Sequence, residues 1–185
     1  MHVVLVGMMA SGKSSIGKVL SKTMNIPFLD IDKEIEFHEK RSIKSIFENS
    51  GERYFRKLES KIIIENLKEK KSTVIALGGG AFLNAAVRKN VNEKSISVWL
   101  DVNIESIITR VKKNQNRPLV EKKSDEEIKK IYEKRLKYYE MSKIHIDCNK
   151  KTKTECAEEI IFKLKNTGIN AVSYTHLRAH ETRSS

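Results

Sequence analysis

Residues 3–14 read Val-Val-Leu-Val-Gly-Met-Met-Ala-Ser-Gly-Lys-Ser, an apolar run that leads directly into a G-x-x-x-x-G-K-S motif. The apolar run predicts a buried strand, and the residues after the motif are compatible with a helix. A strand that ends in a glycine-rich turn before a helix leaves several backbone N–H groups pointing at one place, where a polyphosphate can bind. The stretch therefore predicts a phosphate-binding loop (P-loop) at residues 7–14.

The chemistry of a P-loop assigns roles to several of these residues. Lys13 is expected to reach the β- and γ-phosphates of a nucleotide, and the Ser14 hydroxyl is expected to ligate Mg²⁺. The residues expected to contact the nucleotide here are Gly7, Met8, Met9, Ala10, Ser11, Gly12, Lys13, Ser14 and Ser15. A chance match in an ordinary turn is disfavoured because strand, loop and helix all fall where the mechanism needs them.

Length and composition predict one cytoplasmic domain. The chain has 185 residues, which is enough for a sizeable core. No apolar run approaches the roughly 18 to 20 residues of a membrane span, and no charged-then-apolar leader precedes the first strand. Cys148 and Cys156 lack the spacing of a zinc site or a disulfide framework. We therefore expect no membrane partner.

The net charge of +12 raises the question of nucleic acid binding. The lysines alternate with glutamates, as in residues 33–36 and 65–69, and no aromatic-basic stacking pattern is present. This pattern favours a solvated lysine-rich surface without a nucleic acid partner. Its basic field would also attract nucleotides.

Short β-rich runs alternate with helical patterns along the chain. We predict strands at residues 2–6, 28–30, 73–77, 95–100 and 144–148, and helices at residues 14–24, 32–68 (with breaks near Ser42 and Gly51), 103–112, 125–139 and 155–164. This alternation implies βαβ crossovers. The predicted fold is α/β, with three layers (α/β/α) around a five-stranded parallel sheet and with ligands at the carboxyl ends of the strands.

Two segments differ from the rest. Residues 113–123 are polar, lack a clear period and contain Arg117 beside Pro118, so we interpret them as a mobile lid. Residues 167–185 lose the Lys/Glu/Ile character of the preceding chain, and we interpret them as a vector-derived or read-through tail. Residues 1–166 then form a single domain.

Glycines and carboxylates are expected at the same sheet edge. Gly78, Gly79 and Gly80 follow the third strand and indicate either a second anion-binding lip or a flexible turn. Asp30 and Asp32 close the second strand, and their spacing sends both carboxylates to one side if strand geometry persists. One carboxylate could then hold Mg²⁺ while the other accepts a proton from an attacking hydroxyl. The alternative is that Asp32 only caps the next helix.

Arginine is scarcer than lysine, and its planar fork suits carboxylates and phosphates. From spacing alone, each arginine is expected at the surface. Arg117 is the best candidate for a lid cation that closes over phosphates.

These motifs, in this order, resemble those of the shikimate kinases from Val3 to about Leu164. The matching parts are residues 7–17, 29–32, 42–48, 51–59 and 78–80, then Arg117-Pro118-Leu119, and Arg135 with Tyr139. The resemblance implies a P-loop kinase domain of nucleoside monophosphate kinase-like architecture. It also implies ATP- and Mg²⁺-dependent phosphorylation of the shikimate 3-hydroxyl, in aromatic amino acid biosynthesis.

The resemblance implies catalytic and metal-binding roles. Lys13 and Ser14 keep their P-loop roles, and Asp30 corresponds to a carboxylate of the Mg²⁺ shell. Asp32 corresponds to the candidate base that contacts the substrate hydroxyls. Arg117 corresponds to the lid arginine over the transferring phosphate, where it is both catalytic and nucleotide-binding.

The resemblance also implies how both substrates are held. Arg56 and Arg135 correspond to the pair that binds the shikimate carboxylate. The triple glycine, Gly78 to Gly80, lies beside that pair and supplies backbone N–H groups from its last two residues. Arg110 corresponds to the residue that flanks the adenine.

Some positions depart from the family's common pattern. Ala10 stands where a glycine is usual, Leu77 where threonine is frequent, and Lys137-Tyr138 where Pro-Leu is frequent. None of these changes removes a named catalytic group, so we expect them to alter rate and affinity more than identity.

We expect a monomeric shikimate kinase-like enzyme. One alternative is a gluconate-type or other small-molecule P-loop kinase. The other is a non-catalytic module that binds nucleotides or nucleic acid.

Overall fold

The computed structural model describes residues 1–113 and 123–167. Five strands form one parallel sheet in the order β2-β3-β1-β4-β5. The strands are β1 (His2–Val6), β2 (Phe28–Asp30), β3 (Val74–Ala76), β4 (Ser95–Asp101) and β5 (Ile144–Asp147). The helices are α1 (Lys13–Met24), α2 (Ile31–Glu39), α3 (Ile43–Asn66), α4 (Ala85–Lys94), α5 (Ile104–Lys113), α6 (Asp125–Tyr139) and α7 (Lys153–Asn166), with a 3₁₀ turn at Ala81–Leu83. The predicted α/β class and five-stranded parallel sheet are confirmed.

The sheet centre is the core of the molecule. All five residues of β1 are buried, since β1 has β3 on one side and β4 on the other. Val3 is paired with Val74 of β3 and with Ile96 of β4. A strand that is covered on both faces reads as a continuous apolar run, as residues 3–6 do.

Helices cover the sheet on both faces because the chain changes direction along the strand order. From β1 to β2 the chain moves towards the β2 edge of the sheet, and each later crossover moves towards the β5 edge. Because crossovers between parallel strands are right-handed, α1 lies on one face of the sheet and α2 to α6 lie on the other. Accordingly, α1 packs against α7, whereas α3 packs against α4. This arrangement leaves the carboxyl ends of the strands free for a site.

Helix boundaries inside residues 31–66 follow local chemistry. The Ser42 hydroxyl accepts a hydrogen bond from the Ser45 N–H and begins α3, as predicted. Gly51 interrupts α3 with φ 80° and ψ 167°, a conformation that glycine adopts at little steric cost. The predicted breaks near Ser42 and Gly51 are confirmed.

Helix α4 was not predicted from the sequence. The Asn84 side chain caps it by accepting hydrogen bonds from the N–H groups of Ala86 and Val87. Only Val87 and Val91 are buried along it, so the apolar stripe is too narrow to stand out. The Asn84 cap was the available signal.

Several predicted features lie outside the described residues. Arg117, Pro118 and most of the predicted lid belong to residues 114–122, and residues 168–185 contain nearly all of the predicted tail. The lid, the tail and the domain limits therefore stay predictions. No helix of the described ranges is long and apolar enough to cross a membrane.

Candidate active site

A cavity of about 610 Å³ lies at the carboxyl ends of the strands, where the α/β topology predicts a ligand. It is lined by residues 10–16, 76–79 and by Asp30, Asp32, Arg110, Lys113, Cys148, Lys151, Lys153 and Cys156. Five of these side chains are cationic, at positions 13, 110, 113, 151 and 153, and two are carboxylates. The balance suits a polyanion such as a nucleoside triphosphate.

Glycine is required at two points of the P-loop. Gly7 has φ 145°, and a Cβ there would lie 2.8 Å from the Leu100 carbonyl oxygen. Gly12 has φ 94° and is the N-cap of α1, whose first backbone N–H groups lie at the cavity end of the helix. The two glycines therefore let the loop turn sharply between β1 and α1.

The Lys13 ammonium is held by the carbonyls of its own loop. Its Nζ donates to the carbonyl oxygens of Gly7 at 2.9 Å and Met8 at 2.7 Å. Gly7, Met8 and Met9 do not line the cavity, which begins at Ala10. Met8 is instead buried, with 2% of its surface exposed.

Ala10 carries local strain at the position where the family commonly has glycine. Its φ is 59°, in the left-handed region that costs a residue with a Cβ about 1 kcal/mol. The Ala10 carbonyl accepts a hydrogen bond of 3.1 Å from Arg110 Nη1. This contact joins α5 to the P-loop and places the Arg110 guanidinium at the cavity wall.

Ser14 and Asp30 form a compact pair of oxygen ligands. The Ser14 hydroxyl donates to Asp30 Oδ2 at 2.5 Å. Mg²⁺ prefers oxygen ligands and is usually held by one or two protein groups together with phosphates and water. The pair fits that role, and the absence of any larger His/Cys/Asp/Glu cluster in the described residues does not count against it.

The interpretation of Asp30 and Asp32 needs a correction. Strand geometry does not persist through Asp32, because β2 ends at Asp30 and α2 begins at Ile31. Asp30, and not Asp32, is the helix cap: its Oδ1 accepts from the Asp32 N–H at 3.1 Å. Both carboxylates nevertheless line the cavity. The reason is that Asp32 lies in the first turn of α2, next to the cap residue Asp30.

Gly78 separates Asp32 from a second carboxylate, Glu59. A Cβ on Gly78 would lie 3.1 Å from Asp32 Oδ1 and 2.5 Å from Glu59 Oε1. Only glycine fits between these side chains without moving them. The first residue of the triple glycine therefore makes room for a carboxylate cluster.

Arg56 is fixed by Glu59. Arg56 Nη1 donates to Glu59 Oε2 at 2.7 Å, while its bond from Nε to the exposed Glu52 is longer, at 3.4 Å. A Cβ on Gly80 would lie 2.8 Å from Arg56 Nη2. The guanidinium therefore lies directly against the Gly80 backbone.

Arg135 of α6 reaches the same loop, at Gly79. A Cβ on Gly79 would lie 3.0 Å from Arg135 Nη1, which also contacts Met8 Sδ at 3.9 Å. Tyr139, one turn further along α6, donates from its hydroxyl to the Gly79 carbonyl at 2.5 Å. Neither Arg135 nor Arg56 lines the nucleotide cavity. The two guanidinium groups lie outside that cavity, against the neighbouring residues Gly79 and Gly80.

The sequence alone assigned no role to Glu59. In the structure the Glu59 side chain is buried, with only 2% of its surface exposed. Burial raises the pKa of the Glu59 carboxyl, and the neighbouring Arg56 opposes that rise. Its Oε1 has no hydrogen-bond partner within the described residues. A carboxylate three residues after Arg56, in helical register with the buried Phe55 and Ile62, was the available sequence signal.

The cavity wall after β5 was also missed. Lys153 is the first residue of α7, and Lys151 lies two residues before it. Cys148 and Cys156, which also line the cavity, are buried. The signal was their position after the last strand, at the sheet edge that binds ligands. Burial raises the pKa of the Cys148 thiol, which agrees with the interpretation of these cysteines as packing residues.

Comparison with known proteins identifies the family. Residues 9–165 match the family model for shikimate kinase. The shikimate kinase of Sulfurihydrogenibium sp. is 42% identical over 164 residues, which cover 89% of this chain and 98% of that protein.

Solved structures agree. The shikimate kinase of Acinetobacter baumannii in complex with shikimate superposes with a TM-score of 0.86 at 29% identity, covering 91% of this chain and 94% of that one. The shikimate kinase of Aquifex aeolicus gives a TM-score of 0.81 at 36% identity, covering 91% and 99%. The P-loop, the cationic cavity and the paired arginines thus occur in a chain that belongs to the shikimate kinase family.

Proposed function

We propose that this protein transfers the γ-phosphoryl group of ATP to the 3-hydroxyl of shikimate, giving ADP and shikimate 3-phosphate on the route to the aromatic amino acids. One observation carries this proposal beyond family membership. Two arginines from different helices converge on consecutive glycines, next to the carboxylate of Asp32. An acceptor with a carboxylate at one end and a hydroxyl at the other fits this arrangement.

Arg56 and Arg135 would bind the acceptor carboxylate. Each approaches the glycine loop from its own helix, so the two guanidinium groups can donate to the same anion from two directions. Charge-assisted hydrogen bonds of this type are stronger than neutral ones and set the orientation of the bound group. The acceptor is thereby oriented with its hydroxyls towards Asp32.

Asp32 would accept the proton of the attacking hydroxyl. It lies at the wall shared by the nucleotide cavity and the glycine loop. Proton removal increases the nucleophilicity of the hydroxyl oxygen as it attacks phosphorus. The proton then resides on the Asp32 carboxylate, and the acceptor oxygen carries the phosphoryl group.

Lys13 and Arg117 would stabilise the charge of the migrating phosphoryl group. Lys13 already lies at the P-loop, where its carbonyl contacts can be exchanged for phosphate oxygens. Arg117 belongs to residues outside the described ranges, and its lid role is part of the proposal. Phosphoryl transfer depends mainly on positioning and charge neutralisation, which both cations supply.

Ser14 and Asp30 would hold Mg²⁺. When bound, the ion neutralises charge on the β- and γ-phosphates. Asp30 keeps a structural task as well, since the same carboxylate caps α2. The remaining proposals are that Arg110 flanks the adenine and that the enzyme is a cytoplasmic monomer.

A coupled ADP-release assay tests the proposal with three acceptors: shikimate, gluconate and a nucleoside monophosphate. We expect ATP- and Mg²⁺-dependent ADP release with shikimate and only background release with the other two. Mass spectrometry should show shikimate 3-phosphate as the product. Preferential turnover of gluconate, or no turnover of any acceptor by the folded protein, would contradict the proposal.

A further inference from the structure

Tyr139 links helix α6 to the glycine loop through one hydrogen bond. Its hydroxyl donates to the Gly79 carbonyl at 2.5 Å, and the side chain is only 1% exposed. The ring stacks on Trp99 of β4, with 6.3 Å between centroids and 30° between planes. The sheet therefore supports the Tyr139 ring through Trp99, and the hydrogen bond to Gly79 fixes the hydroxyl.

We propose that Tyr139 is a positioning residue for the acceptor carboxylate: it locks the Gly79–Gly80 peptide in the orientation that presents the Gly80 N–H to the acceptor. This inference rests on the proposed function, because it assumes an anionic acceptor beside Arg56 and Arg135.

The geometry of the peptide group supports this role. In a trans peptide the C=O and the following N–H point in opposite directions. Because Tyr139 binds the Gly79 carbonyl from the α6 side, the Gly80 N–H points away from the Tyr139 hydroxyl. Within the described residues, the Gly80 N–H has no hydrogen-bond partner. The peptide therefore has a donor without a partner among the described residues, in the loop whose Gly79 and Gly80 lie against Arg135 and Arg56.

The loop would not keep this orientation by itself. The Ala81 N–H donates to the Gly78 carbonyl at 3.1 Å, which makes Gly79 and Gly80 the central residues of a β-turn. Gly80 has φ −101° and ψ −9°, close to the third position of a type I turn. Glycine at that position equally permits the type II turn, in which the central peptide is flipped.

Tyr139 selects between these two turns. A flip of the Gly79–Gly80 peptide would break the hydrogen bond from the Tyr139 hydroxyl and reverse the Gly80 N–H. Burial raises the pKa of Tyr139 to about 12, so the hydroxyl stays protonated and able to donate throughout the physiological range. The bond to the Gly79 carbonyl thus acts as a lock on the type I form.

The Tyr139→Phe variant tests the proposal, since it keeps the ring and removes only the hydroxyl. We expect the KM for shikimate to rise about threefold to tenfold, as for the loss of one ordinary hydrogen bond. The kcat and the KM for ATP should stay within twofold of the parent values, because the P-loop is untouched. Tyr132→Phe, which removes a half-buried hydroxyl from the same helix, is the matched control and should leave all three constants unchanged.

Amide NMR separates positioning from general loosening. In the parent protein, shikimate should shift the Gly80 amide resonance strongly. In Tyr139→Phe this shift should shrink, and the ligand-free Gly80 resonance should already be displaced by the flipped population. An unchanged Gly80 resonance, an unchanged KM for shikimate, or an equal rise in the KM for ATP would overturn the proposal.

Two further outcomes remain distinguishable. If the parent does not phosphorylate shikimate, the proposed function fails, while the displaced Gly80 resonance of ligand-free Tyr139→Phe still tests the lock. If Tyr139→Phe does not fold, the parent supplies the test. Its Tyr139 hydroxyl proton should exchange slowly with water, and fast exchange would overturn the lock.

Discussion

Replacing Gly80 by alanine should weaken acceptor binding without straining the backbone. Gly80 has φ −101° and ψ −9°, the conformation usual for the third position of a type I turn and one that is allowed for alanine. The new Cβ would lie 2.8 Å from Arg56 Nη2, 3.0 Å from Cζ and 3.1 Å from Nη1. Comfortable contacts between such atoms are about 3.5 Å, so the guanidinium must move by roughly half an ångström.

The size of the effect follows from how tightly Arg56 is held. Its Nη1 is bound at 2.7 Å to Glu59, which is buried and cannot follow the movement easily. The guanidinium must then give up its alignment with the acceptor carboxylate. Loss of one charge-assisted hydrogen bond costs about 1.5 to 3 kcal/mol, which corresponds to a ten- to hundredfold loss in kcat/KM for shikimate.

Stability should change little in this variant. Alanine in an allowed conformation gains about 0.4 to 1 kcal/mol through the unfolded state, which offsets part of the local clash. The melting temperature should therefore stay close to that of the parent, and the KM for ATP should be unaffected. Steady-state kinetics with each substrate varied in turn, together with thermal unfolding, measure all three quantities.

A double variant makes the test specific for Arg56. The slimmer Lys side chain relieves the clash, so Gly80→Ala combined with Arg56→Lys should be no worse than Arg56→Lys alone. Such non-additivity is expected only for residues in contact. Parent-like kcat/KM in Gly80→Ala, or strictly additive losses in the double variant, would show that the alanine does not displace Arg56.

Two further predictions concern charged groups. Lys13→Ala should lower kcat by about 10² to 10³ in a folded protein, because the lost cation stabilises charge that develops in the transition state; exposed Lys18→Ala is the control, and near-parent kcat in Lys13→Ala would disprove the P-loop role. For Glu59, a raised pKa in the folded state means that its stabilising contribution is full below the ordinary pKa of 4.5 and is lost as pH rises through the raised folded pKa. As pH rises from 4.5 through the folded pKa of Glu59, the melting temperature of Glu59→Gln should therefore fall less than that of the parent. Equal falls in melting temperature for the two proteins would contradict the burial of Glu59 as the cause of its raised pKa.

Local sequence signals were enough for the P-loop and the sheet. Gly7, Lys13 and Ser14 lie within one short stretch, so their chemistry could be read directly from their spacing. The apolar run of β1 likewise predicts a central strand, since both of its faces are covered. These features depend on neighbours in sequence, and the structure has the strand and the helix where the sequence predicts them. The chemical roles of Lys13 and Ser14 stay predictions.

Contacts between distant segments could not be read in this way. Spacing alone made Arg56 and Arg135 surface groups, and only the family resemblance paired them. The roles of Glu59 and Tyr139 depend on α3, α6 and the glycine loop meeting in space. The strand geometry considered for Asp30 to Asp32 does not persist, because β2 changes into α2 between these residues and the strand and helix periods predict different side-chain directions there.

The most direct test of carboxylate binding by Arg56 and Arg135 compares shikimate with its methyl ester, which lacks the carboxylate charge. We expect the ester to be a poor substrate of the parent enzyme. We also expect Arg56→Lys and Arg135→Lys each to lower kcat/KM for the acid about ten- to hundredfold but to change kcat/KM for the ester far less. Equal losses for acid and ester would show that these arginines do not bind the carboxylate, and would contradict the proposed acceptor site.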